Sequence, residues 1–121
     1  MAKEKWFKLI NEEFSKVDKE WQWTYLLLIP IIFNEQIITK ITITDHYQLE
    51  HSEIISNEKI LEIMRKLNGE IMKPEPKKNP NWPDVFVPKG IEYGNKKYLI
   101  VLWFERSSLD WLWIRDCYPD Y

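Results

Sequence analysis

The stretch KEKWFKLINEEFSKVDKEW, residues 3–21, decides how this chain opens. Trp6, Ile10, Phe14, Val17 and Trp21 recur at spacings of 4, 4, 3 and 4, with Lys, Glu and Asp filling the positions between. That spacing gathers the apolar side chains on one side of a 3.6-residue period and predicts an amphipathic helix. Neither Gly nor Pro interrupts it. The apolar stripe reads as a core face, or as a face that docks a partner.

The next two segments read as sheet. Residues 23–33 are rich in Leu, Ile and aromatics, with Pro30 marking an edge position or a bulge. After a turn at Asn34-Glu35, QIITKITIT (36–44) alternates and is strongly β-branched, so 23–33 and 36–44 form an antiparallel hairpin. Helical character returns through 46–53 and more clearly from Ser56, an N-cap, to Leu67, with Gly69 as the stop. Residues 73–83, KPEPKKNPNWP, hold four prolines and read as a surface loop. Short strands at 85–87 and 91–93, an apolar strand at 97–105 and a last strand at 111–116 complete the chain. The expected fold is α+β: a mainly antiparallel sheet of four to five strands, with an N-terminal helix and a central helical segment, in the order α-β-β-α-β-β-β.

The 121 residues suit one domain with one core, residues 1–121. One cysteine, Cys117, excludes an intramolecular disulfide and fits a reducing compartment. The charged N-terminus is no signal peptide, and the longest apolar run is nine residues, so no membrane is expected and a cytoplasmic protein is. Three glycines and the absence of GxGxxG and GxxxxGK[ST] leave no phosphate-cradling loop. The formal charge of −2 argues against a dedicated binder of double-stranded DNA. The charge is uneven, though: residues 64–97 carry eight basic and four acidic groups, which makes a basic patch or a solvated loop.

TDHYQLEHSE, residues 44–53, holds both histidines. On a helix His46 and Glu50 share a face, whereas His46 and His51 stand about 140° apart, which is poor geometry for a shared metal. No third or fourth ligand has zinc spacing, so no metal or other cofactor is expected. A histidine oriented by a carboxylate can instead move a proton near pH 7; the plain alternative is a surface helix turn with a local His–Glu pair. In WLWIRDCY, Trp111, Trp113 and Arg115 point one way from a strand, and Leu112, Ile114 and Asp116 the other. Aromatics interleaved with Arg suit stacked bases and a phosphate; the same residues suit packing against the first helix.

Together ITITDHYQLEHSEIISNEKILEIMRKLNGE, GNKKYLIVLWFE and the terminal WIRDCY resemble, over residues 40–118, the small bacterial toxins of the RelE-like and barnase–colicin-like ribonuclease group. In that group a strand leads into a DH-type helix, a second helix follows, and two strands, the last ending in Tyr, close the sheet. The resemblance implies a metal-independent endoribonuclease paired with a cognate antitoxin. It assigns catalysis to His46, Glu50, His51 and Arg115. Contact with the substrate RNA falls to Lys97 and Tyr118 by the resemblance, and to Trp111 and Trp113 by their shared strand face. One of the histidines would be base or acid, Glu50 its orienting partner, and Lys97 with Arg115 the charge stabilisers. Leu99 stands where that group often has a basic residue. A second reading is a non-enzymatic immunity or antitoxin-like inhibitor, or a phage accessory protein. Small size, net acidity and exposed aromatics suit a cover for a basic toxin. A small-molecule-binding or structural domain is a third. The strand at 97–105 would be covered in a monomer or paired in a homodimer.

Overall fold

The structure, a computed structural model, describes residues 5–45 and 55–120. It is mostly β. Among the described residues the strands are β1 (Phe7–Ser15), β2 (Glu20–Phe33), β3 (Gln36–Thr44), β4 (Val85–Phe86), β5 (Ile91–Tyr93), β6 (Lys96–Glu105) and β7 (Ser108–Pro119), and one helix, α1 (Asn57–Arg65), lies between β3 and β4. All seven strands join one sheet in the order β1-β2-β3-β7-β6-β4, with β5 pairing β6 beside β4. The β3–β7 pair is parallel and the other pairings are antiparallel.

This corrects the α+β expectation. The N-terminal helix is an edge strand. Residues 7–15 pair with 20–27 of β2, and the stretch between them is a turn, not a further helical stretch. Asp18 N–H donates to Ser15 Oγ at 3.1 Å, and Lys19 takes a left-handed φ of 55°. The 14-residue, strongly apolar β2 would otherwise leave a long unpaired edge, and that long-range demand outweighs the helix propensity of Lys and Glu. The sheet also has seven strands, not four to five. The described helix is only nine residues long, with Ser56 Oγ accepting the Lys59 N–H at 3.1 Å.

The β2–β3 turn places Asn34 and Glu35 both at positive φ, 50° and 66°, as a two-residue hairpin of right-handed twist requires. It is tied to the chain beyond α1: Asn34 N–H donates to Glu70 O at 2.9 Å and Asn34 Oδ1 accepts the Met72 N–H at 2.7 Å. β2 bulges between Leu26 and Ile31, the stretch that contains Pro30.

Side chains divide the sheet into two faces. On one, Ile41, Ile43, Ile100, Leu102, Leu112 and Ile114 are fully buried in a single core with Ile60, Leu61, Ile63 and Met64 of α1. Burying a side chain of this size contributes roughly 1.5–3 kcal/mol, so these ten dominate the packing. Trp6 fastens the start of β1 to the helix: its Nε1 donates to Glu62 Oε1 at 2.9 Å and the Arg65 guanidinium lies 5.1 Å from its ring centroid. The other face has no helix against it among the described residues, none of whose helices is long and apolar enough to cross a membrane.

Candidate functional site on the open sheet face

One row of residues crosses the open face through six strands: Asn11, Thr24, Thr42, Trp113, Trp103 and Val85. Lys40 and Trp111 are paired in the next row. The row is polar over β1 to β3 and aromatic over β7 and β6.

The two indoles of β7 are each fixed by their N–H. Trp111 Nε1 donates to Thr42 Oγ1 at 2.8 Å, and that hydroxyl lies 2.8 Å from Thr24 Oγ1. Trp113 Nε1 donates to Glu105 Oε2 at 2.5 Å. The two rings stack, 5.9 Å between centroids and 23° between planes. Lys40 Nζ sits 5.1 Å from the Trp111 centroid. Trp111 therefore has Lys40 and Trp113 against it and acts as a support, whereas Trp113 and Trp103 border the clefts.

Arg115 owes its position to a bulge. Ile114 pairs with Leu102 and Asp116 with Val101, so Arg115 is one residue more than β6 can match. Thr44 Oγ1 donates to the Arg115 carbonyl at 3.3 Å and to that of Ile114 at 3.4 Å, which holds the extra residue. The expected alternation breaks here. Leu112 and Ile114 face the core as expected, but Cys117 takes the next core position and Asp116 follows Arg115 onto the open face. Asp116 is buried and accepts the Cys117 N–H at 3.0 Å. The Arg115 side chain is exposed, with no hydrogen-bond or ion-pair partner among the described residues.

Two clefts meet at Arg115, Trp103 and Pro83, which line both. One, about 520 Å³, runs toward the β1–β2 turn and is bordered by Asp18, Glu20, Glu105 and Arg106. The other, about 590 Å³, lies under the proline-rich loop, against Glu75, Lys77, Lys78, Trp82 and Val85. The first is rich in carboxylates and the second in cations and indoles.

Of the residues singled out from sequence, Trp111, Trp113, Arg115, Tyr118 and Lys97 all lie on the open face, because the bulge brings Tyr118 opposite Leu99 and in line with Lys97. They are not one cluster: Lys97 stands at the other end of β6, opposite Glu92 of β5. His46, Glu50 and His51 lie outside the described residues. Sequence reasoning misses Trp103, Lys40, Thr42 and Trp82. Trp103 is hidden inside a continuous apolar run, while Trp82, a lone indole in a loop of Pro, Asn and Lys, carries a readable signal. Among the described residues no three of His, Cys, Asp and Glu come close enough together to hold a metal ion. No protein-family model, curated protein or solved structure matches this chain.

Proposed function

We propose that the protein binds single-stranded RNA across the open sheet face and cleaves it as a metal-independent, toxin-like endoribonuclease. The observation that carries this reading is the guanidinium of Arg115, which among the described residues has no partner and no helix covering its face, beside Trp103 and Trp113. Indoles stack on any base, and a guanidinium matches phosphate in two-pronged geometry. In the reaction a base takes the proton of a 2′-OH, the 2′-oxygen forms a bond to phosphorus, and the bond from phosphorus to the 5′-oxygen breaks as an acid protonates it. Arg115 would stabilise the charge on the phosphate oxygens. His46 and His51 would serve as base and acid, with Glu50 orienting one of them.

Induced expression in a bacterial host tests this, with growth and total RNA integrity read together for wild type, Arg115→Ala and His46→Ala/His51→Ala. Growth arrest with cleaved RNA in the wild type alone is the expected result. Normal growth and intact RNA in all three would overturn cleavage.

A second reading, an inhibitor that covers a protein partner, is favoured by the β1–β2 hairpin. Phe14 and Trp21 pack edge to face at 5.7 Å there, yet stay 50% and 42% exposed, with Leu9 and Ile10 also open. Large exposed apolar side chains in one place mark interaction surfaces. This reading predicts harmless expression, and a stoichiometric complex with a basic toxin whose activity the protein suppresses.

A further inference from the structure

The cleft under the proline-rich loop has a built wall. Glu75 N–H donates to Val85 O at 2.7 Å, which docks the loop on β4. Lys77 Nζ donates to the Trp82 carbonyl at 2.8 Å and to Asp84 Oδ1 at 2.9 Å, closing the loop on itself. Asn79 ties its tip, accepting the Asn81 N–H at its side chain at 2.9 Å and the Trp82 N–H at its carbonyl at 3.1 Å. Four prolines within 73–83 restrict the backbone further. A wall fixed in this way loses little freedom when a ligand arrives.

The chemistry on that wall is specific. Trp82 is 55% exposed, so much of its indole is presented to solvent. Trp103 of the sheet lines the same cleft. Lys77 is consumed by Asp84, but Lys78 and Arg115 have no partner among the described residues. Glu75 is the only carboxylate among the described residues that line the cleft, whereas three carboxylates stand on the far side of Arg115. An anion at Arg115 is therefore drawn toward Lys78 and repelled from the neighbouring cleft. A flat π-system joined to a single anionic group satisfies both the indoles and the cations. The volume, about 590 Å³, is in the range of small-ligand sites.

We infer that this cleft takes one nucleotide of the RNA strand, its base against Trp82 and Trp103 and its phosphate between Arg115 and Lys78. This assignment rests on the RNA-binding reading and adds where the strand is gripped. Trp82 and Lys78 lie on the loop, away from the β1–β2 hairpin and from both histidines in sequence, so they can be changed independently of them.

The test is equilibrium binding of a fluorescently labelled eight-nucleotide RNA to wild type, Trp82→Ala, Lys78→Gln and Arg115→Gln, with folding checked by circular dichroism. Trp82 is exposed, so its replacement leaves the core intact. Trp82→Ala is expected to weaken binding roughly tenfold, the scale of one lost stacked base. Arg115→Gln and Lys78→Gln are each expected to reduce the steepness of the salt dependence by about 0.7, as for one lost phosphate contact on a single strand. Undiminished RNA binding by Trp82→Ala would overturn the cleft assignment and leave the open-face reading standing. No RNA binding by the wild type would overturn both. Tight binding of an acidic, proline-containing peptide in place of RNA would overturn both in favour of a protein partner.

Discussion

Thr44 donates its hydroxyl to the backbone carbonyl of Arg115, 3.3 Å away, and so holds the residue that β7 carries in excess between the partners of Val101 and Leu102. Thr44 is 2% exposed, and valine has the same shape without the donor. Thr44→Val should lower the unfolding free energy by about 1–3 kcal/mol, the usual loss when a buried acceptor goes unpaired. On the proposed function it should also weaken RNA binding, because Arg115 is no longer held in place. Denaturant unfolding and the RNA titration check the two effects; a stability change under about 0.5 kcal/mol would show that the ladder alone sets the bulge.

Glu35 occupies a left-handed backbone position, φ 66°, in the β2–β3 turn. Left-handed geometry costs a residue with a Cβ roughly 1–2 kcal/mol, partly offset by the greater unfolded-state freedom of glycine. Glu35→Gly should therefore stabilise the protein by up to about 1 kcal/mol, seen as a higher denaturation midpoint at unchanged slope. Asn34→Gly in the same turn should destabilise it, because the Asn34 side chain holds the Met72 N–H.

Hydrogen bonds from Ser108 first, and Thr39 second, hold the Asp110 carboxyl below the usual carboxylate range, against a smaller opposing effect of burial. A depressed folded value means the stabilisation is present above the unfolded value, near 3.9, and is lost as pH falls through the folded one. Asp110→Asn should therefore be less stable than wild type at pH 6, with the difference shrinking below about pH 4. Unfolding curves collected between pH 2 and 6 check this; a difference independent of pH would sink it.

Burial first, and the nearby charge of Asp116 second, push the Cys117 thiol up to about 12. The thiolate is the reactive form, so the native protein at pH 8 should scarcely react with an aromatic disulfide reagent. Labelling should become fast on adding denaturant. Rapid labelling of the native state would contradict this burial.

The two faces of the sheet and the opening strand differ in how far the sequence reveals them. Alternation in KITIT, residues 40–44, reveals β3 and its two faces there, because strict period-2 order has no helical counterpart; Ile38, which joins the core, falls outside that order. The opening stretch is different. Trp6, Ile10 and Phe14 are four apart, and four is both close to one helical turn and a multiple of the strand period. Local spacing cannot separate the two. The separation comes from β2, whose need for a partner is a non-local demand, and from the Ser15–Asp18 turn, which the helical count runs straight through. Trp111, Trp113 and Arg115 are legible as one face. The bulge that moves Asp116 onto that face is not, since its cause lies in Thr44, some seventy residues earlier in the chain.

β7 lies in the middle of the sheet although it follows every other strand in the chain. Until it is in place, β3 and β6 have no neighbour on that side, and the sheet is two separate ribbons with bare inner edges. During synthesis β1 to β6 leave the ribosome first and must wait for β7 to bridge them. Lys40 and Thr42 belong to one ribbon and Trp103 to the other. A surface that needs all of them cannot be assembled gradually. It comes into being in one step, when the bridging strand docks, so an unfinished chain has no such surface to use.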